Sequence, residues 1–436
     1  MQKKQNTSLV WFRNDLSIHD NASLANAIKS NNRVIALFCF DPRQFEDDQF
    51  GFKKTEKYRA KFLIETVTDL KNNLAQLNIP LFVYTIKPEN CIPDLVENYQ
   101  VNHIFLQEEW TQEEVDVFNK VKEKLPDHIQ ILASYNQFLY HPEDIPFSIE
   151  QLPKVFTEFR KACEKQSTIR PETSFSNEKI NENTLENPTS IPTLQDLGFE
   201  DFEVHPNFAF PLKGGETEGL KRLEDYFFNS KKLGVYKKTR NGLIGKDFSS
   251  KFSPWLANGS ISAKHIYYQV KQFEKAYFKN DSTFWLIFEL IWRDYFKYVS
   301  LKFGNQIFKI GGILNKDYNW SKNQQKINDW INGKTSEPFV NANMIELKKT
   351  GWMSNRGRQN VASYFAKSME LDWRIGAAYF ESLLIDYDVH SNYGNWMYVA
   401  GVGNDPRDRK FNVKLQADRY DSNGKYQRLW LQDTLF

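Results

Sequence analysis

Two hydrophobic periods divide this chain. Up to about residue 140, short apolar runs alternate with amphipathic stripes, whereas beyond about residue 219 only the helical period persists. Residues 9–12 and 34–40 are short apolar runs, the pattern of strands buried on both faces of a parallel sheet. Leu63, Val67, Leu70, Leu74 and Leu77 then mark one helix face, and Pro80 opens the next run at 81–84. Further runs fall at 103–106 and 129–132, with a helical pattern over 113–125 between them. This alternation predicts a doubly wound parallel sheet. The first glycine is Gly51, so no G-x-G-x-x-G follows the first run, and a dehydrogenase-type pyrophosphate cradle is not expected in this domain.

From 170 to about 205 the chain is rich in Asn, Glu, Thr, Ser and Pro, the composition of a surface connector. Helical patterns over 219–228, 263–273 and 282–303 predict an all-helical second domain. The expected division is an α/β domain at 1–140, a connector at 141–205 and a helical domain at 206–436, which suits a chain of 436 residues.

The net charge of +2 gives no whole-molecule argument for a polyanionic partner, but residues 231–251 hold seven Lys or Arg against one Asp. Three separated cysteines, Cys39, Cys91 and Cys163, fit neither a metal spacing nor a disulfide framework, and a reducing cytoplasm is the expected setting. No apolar run approaches the roughly 20 residues of a membrane span, and the polar start MQKKQNTS has no signal-peptide core.

Chemistry is densest between residues 351 and 412. Asn355, Arg358 and Gln359 share a helix face, and a carboxylate pair, Asp386 and Asp388, follows with Asn392, Trp396 and Tyr398. Buried charges must be paired, so Arg358 is expected to bind Asp386 in a pocket lined by aromatics. Asn392 would be a neutral hydrogen-bonding group there. Such a pocket suits a large, flat ligand with polar edges.

The ordered segments NRGRQNVAS (355–363), IDYD (385–388), SNYGNW (391–396) and GVGNDPR (401–407) resemble the photolyase and cryptochrome flavoproteins, most closely the cryptochrome-DASH branch. FSSKFSPWLANGSIS (248–262), FELIWRDYF (288–296) and WFRNDL (11–16) extend the resemblance over nearly the whole chain. It implies FAD in the helical domain, its diphosphate on the turn Ser249, Ser250, Lys251, Phe252 and Ser253, where hydroxyls and backbone donors suit phosphate. Tyr236, Arg293, Arg358, Asp386, Asp388 and Asn392 match further flavin-contacting positions. Asn392 falls against flavin N5, where an amide accommodates several flavin redox states without a fixed charge. Trp320, Trp373 and Trp396 match the family's electron-transfer chain; any one alone reads better as a core tryptophan, and the joint match of three carries the assignment.

On the substrate side the resemblance implies Glu289, Trp292, Asn355, Arg356 and Tyr398. A flipped pyrimidine dimer needs an aromatic platform, for which Trp292 is suited; Glu289 would bond a base edge and Arg356 a phosphate. Tyr398 replaces a second tryptophan of duplex-acting relatives, a pattern associated with single-stranded substrates. The implied activity is blue-light-driven splitting of pyrimidine dimers by electron transfer from reduced FAD. DNA that is single-stranded or locally unpaired is the expected partner, with RNA as a further candidate and no membrane. The rival expectation is a blue-light signalling flavoprotein without turnover; the ending RLWLQDTLF, with no long tail after it, favours an enzyme. A folate antenna, methenyltetrahydrofolate, is usual in this branch, with Glu109 the best match to an antenna-contacting carboxylate. Asn341 and Ile345 stand where the family pattern has Asp and Arg. Either a phosphate contact is weakened or an ion pair has been exchanged for neutral partners.

Overall fold

The computed structural model describes residues 7–30, 33–176 and 185–432. Five strands, β1 (Thr7–Trp11), β2 (Arg33–Cys39), β3 (Leu81–Tyr84), β4 (Val101–Gln107) and β5 (Gln130–Ser134), form one parallel sheet in the order β3-β2-β1-β4-β5. Helices α1 (Ala22–Ser30), α2 (Lys57–Gln76), α3 (Ile92–Asn98) and α4 (Gln112–Glu123) make the four crossovers. All five residues of β1 are buried, because β1 is central and covered on both faces. β5 is an edge strand, and its residues are mostly exposed.

The order reverses between β1 and β4, so their carboxyl ends diverge and open a crevice. Asn14, just after β1, and Gln107 and Glu109, at the end of β4, face that crevice.

The second domain is helical among the described residues, apart from an isolated bridge between Ser321 and Leu371. It comprises α6 (Glu216–Glu224), α7 (Tyr236–Thr239), α8 (Ser253–Ala257), α9 (Ala263–Ala276), α10 (Asp281–Phe303), α11 (Gln324–Ile331), α12 (Pro338–Thr350), α13 (Asn355–Ser363), α14 (Trp373–Leu383), α15 (Val389–Ala400), α16 (Val413–Tyr420) and α17 (Lys425–Leu431). An Asn280–Thr283 capping box starts α10, whose 23 residues run through the core. Midway along it, the wholly buried Asp294 accepts backbone hydrogen bonds from Leu139 (2.9 Å) and Tyr140 (2.8 Å). Burial pushes this carboxyl up to about 7.

Between the domains, α5 (Phe156–Gln166) inserts Phe156, Phe159 and Cys163 into the helical core. Leu194, Leu197 and Phe199 pack instead against the core of the α/β domain. The polar composition of this stretch gave no sign of these anchors, since a few well-spaced apolar residues are enough to tie a long segment to two cores.

Asn341 and Ile345 lie one turn apart on α12. The Asn341 amide exchanges hydrogen bonds with Thr335, accepting from its N–H (2.9 Å) and donating to its carbonyl (2.8 Å). Ile345 is buried against Gly333. The two positions form a neutral local arrangement, and neither lines a cavity described below.

Candidate functional site

Four separate stretches of the helical domain converge on a cavity of about 260 Å³. The loop before α8 and the first residue of that helix supply Phe248 and residues 249–253, α10 supplies Glu289 and Arg293, the start of α13 supplies Asn355 and Arg358, and the approach to α15 with its first turn supplies Asp386, Asp388 and Ser391. Tyr236 and Arg240 close one side.

The loop before α8 is held from behind by Arg222. This buried guanidinium donates to the carbonyls of Lys246, Ser249 and Ser250 and pairs with Asp247 at 2.8 Å. Lys251 takes the left-handed conformation with φ 64°, and its side chain is 2 % exposed as a residue. Its ammonium has no hydrogen-bond partner and lies 3.6 Å from the centre of the Phe248 ring and 4.4 Å from that of Trp352. Burial pushes its pKa well below the ordinary lysine range. An unpartnered cation in a cavity wall is costly unless an anion arrives there.

The carboxylates of this wall are already engaged. Arg358 grips both oxygens of Asp386 at 2.9 Å and donates to the Met353 carbonyl. Arg240 pairs with Glu289 at 2.8 Å, and Lys297 pairs with Asp388 at 3.2 Å. Burial works against the Asp388 charge, but Lys297 and Arg293 outweigh it and hold the group ionised below the usual carboxylate range. The donor set therefore fits a diphosphate beside Lys251 and a polar-edged ring system near Arg358.

Asn392 does not line this cavity. It is buried on α15, and its amide donates to the Ala377 carbonyl at 3.0 Å. Asp388, Asn392 and Trp396 follow one another at intervals of four residues, so α15 carries all three on one face. Trp396 packs against Gly376 of α14, where a Cβ would meet its ring at 2.3 Å. Trp373 opens α14 and donates to the Ile310 carbonyl at 2.9 Å. Ser321 bonds Asp372 through its carbonyl, which sets Trp320 beside the segment leading into Trp373. The half-buried Trp320 packs edge-on against Tyr318.

Of the candidate substrate residues, Glu289 and Asn355 line the cavity. Trp292 and Tyr398 meet edge to face at 6.0 Å. One face of Trp292 is taken by Phe156, stacked at 3.6 Å from α5. Arg356 lies outside the cavity wall, over the ring of Tyr420, and bonds the side chains of Gln359 and Asn241.

A second cavity of about 700 Å³ lies between the domains at the carboxyl ends of the strands. Glu109 is buried in its wall, accepting from Gln107 at 2.9 Å. Ala257, Arg293 and Asp388 belong to both cavities. Arg222, Arg240, Trp352 and Lys297 were not singled out from sequence; each is an isolated residue on its element, with no local spacing to mark it.

The segment at 285–434 matches the FAD binding domain of DNA photolyase, and that at 8–178 matches DNA photolyase. The chain is 46% identical over 429 residues to a cryptochrome DASH of Gloeobacter violaceus, covering 98% of this chain and 86% of that one. It is 47% identical over 428 residues to a Xenopus laevis cryptochrome DASH, covering 97% and 82%. A similar protein of Arabidopsis thaliana is named as chloroplastic/mitochondrial. The crystal structure of a Synechocystis cryptochrome superposes with a TM-score of 0.95 at 45% identity, over 99% of this chain and 90% of the other. No helix among the described residues is long and apolar enough to cross a membrane. The helical half is thus a FAD-binding domain, and the chain belongs to the cryptochrome DASH branch of the photolyase and cryptochrome family.

Proposed function

We propose that this protein uses blue light to split cyclobutane pyrimidine dimers in unpaired DNA. Reduced FAD, when bound and excited, supplies the electron that opens the dimer and takes it back afterwards. Lys251 and the hydroxyls of Ser249, Ser250 and Ser253 hold the diphosphate, while the Arg358–Asp386 pair orients the ring system. Tyr236, Phe252, Arg293 and Asp388 complete the wall. Asn392 stands behind the wall, one turn beyond Asp388, with its amide on the Ala377 carbonyl.

At the mouth, Glu289 bonds a base edge; burial raises its pKa, and Arg240 beside it opposes that shift. Trp292 and Tyr398 meet the flipped bases, Asn355 bonds their edges, and Arg356 holds a neighbouring phosphate. Trp320, Trp373 and Trp396 would pass electrons inward from an external reductant at the surface, which restores the oxidised indole, and take no part in the repair step. Glu109 and the interdomain cleft hold a methenyltetrahydrofolate antenna, separated from the flavin cavity only by their shared wall.

The observation that supports this reading most directly is the pairing of Trp292 with a tyrosine. Tyr398 offers a smaller stacking face than an indole, enough for a strand whose unpairing cost is already met and too little to extract a dimer from a duplex. Tyr398→Trp tests it: repair of duplex dimers should rise relative to single-stranded ones, and an unchanged ratio contradicts the role given to Tyr398.

A further inference from the structure

The lysine-rich stretch at 231–251 is not consumed by the flavin cavity, which takes only Tyr236, Arg240 and residues from 248 onward. Its first part folds instead against the end of α9 and the start of α10. The Lys231 ammonium sits 4.1 Å from the centre of the Tyr277 ring. Phe278 packs where Gly234 lacks a Cβ, an approach of 2.7 Å to a built one, and the Gly234 carbonyl accepts from Asn280 at 2.9 Å. Lys237 lies over Trp285 at 4.7 Å and pairs with Asp281 at 2.9 Å. These contacts clamp the two segments side by side.

What they leave outside is unusual for a surface. Val235, Tyr277, Phe278 and Phe284 are 44, 43, 46 and 36 % exposed. Among them stand Lys231, Lys238, Lys275 and Lys279, exposed and without an ion pair among the described residues. The carboxylates nearby are occupied, Asp281 by Lys237 and Glu274 by Lys271 and Thr283. An apolar surface for a protein partner is normally depleted in lysine. Cations interleaved with exposed aromatic rings instead match a strand that carries phosphates and unstacked bases.

The patch is continuous with the mouth of the flavin cavity. Trp285 lies one turn before Glu289 on α10, and Arg240, from the helix that follows Lys231–Val235 in the chain, pairs with Glu289. From Trp285 to Trp292 along α10 is about 10 Å. At stacked spacing that is about three nucleotides.

We propose that Lys231, Lys238, Lys275 and Lys279, with Tyr277 and Phe278, form a track for the unpaired DNA strand that flanks the lesion. This rests on the repair reading above, and it names where the strand goes after it leaves Trp292. The track contributes binding and salt sensitivity; the chemistry at the flavin does not depend on it.

The test is dark binding of an undamaged, fluorescently labelled single strand by the flavin-loaded protein, compared with turnover of a dimer carrying one flanking nucleotide on each side. The triple variant Lys238→Ala, Lys275→Ala, Lys279→Ala should weaken binding of a strand with flanks of about eight nucleotides at least tenfold and flatten its log–log salt slope by about 2. Phe278→Ala should weaken the same binding by roughly tenfold with the slope unchanged. Both variants should keep wild-type turnover on the short dimer and wild-type circular dichroism. Undiminished binding of the long strand overturns the track, as do equal losses on long and short strands. If the unmodified protein repairs no dimer, the repair reading fails, and the dark binding alone decides the track.

Discussion

The flavin cavity and the interdomain cleft share Ala257, Arg293 and Asp388 but differ in the state of their charges. In the cavity every carboxylate is paired, and the group left over is basic, the Lys251 amine. In the cleft burial displaces acids and bases alike, pushing Arg59, Lys297 and His390 down from their usual ranges. Burial pushes Glu114 up to about 8 and Glu381 up to about 7. One wall presents a base to an anion, and burial drives the other toward neutrality from both sides, its acids holding protons and His390 giving one up. The difference fits a diphosphate-bearing cofactor in the first and a ligand rich in hydrogen-bond donors in the second.

The contrast breaks most visibly at Lys251. Lys251→Glu places a buried carboxylate next to Glu346 and the diphosphate position, a change of about 3 kcal/mol or more, and flavin retention should fall roughly a hundredfold. The ratio of flavin absorbance to protein after gel filtration reads this out, and full retention would show that Lys251 is not the anion's partner. A charge-neutral break follows. Trp373→Phe removes the bond to the Ile310 carbonyl and one step of the inward path, so photoreduction should be abolished while chemically reduced protein still repairs. Loss of both activities would count against the separation of these roles.

Smaller effects sharpen the same comparison. Gly376→Ala forces a methyl group against the Trp396 ring and should cost about 1–3 kcal/mol of stability, with slower photoreduction and unchanged flavin content. The cleft is tested by pH. Glu114 and Glu381 have folded pKa values above the unfolded value of 4.5, so the folded state binds more protons between them. Stability from these two groups is therefore greatest at low pH, falls as pH rises from about 4.5 to about 8, and is flat beyond. Glu114→Gln with Glu381→Gln should flatten that part of the melting-temperature profile without altering flavin content, and an unchanged profile would contradict the assignment.

The inner strands were legible in the sequence because buried parallel strands leave unbroken apolar runs, as at 34–40, and the exposed edge strand β5 showed as a run at 129–132. The Arg358–Asp386 pair was legible because charges near tryptophans must find partners. The helix carrying Phe156, Phe159 and Cys163 was not, since it lies within a stretch read as connector and shows only three core positions. Nor was Arg222, which braces the diphosphate loop from behind through three backbone carbonyls that carry no sequence signal. Of the cleft, sequence reached Glu109 and the shared wall residues Arg293 and Asp388 but not the rest, because its wall is assembled from the ends of separate strands and from the helical domain. The neutral exchange at Asn341 and Ile345 became readable only once Thr335 and Gly333 were seen beside them.

The most direct test of the account is dimer loss under blue light, using reduced protein and one dimer-bearing oligonucleotide supplied both single-stranded and as a duplex. The account predicts rapid repair of the single strand and little of the duplex. Equal repair of both would contradict the role of Tyr398, and repair of neither by flavin-loaded protein would contradict the proposed function itself.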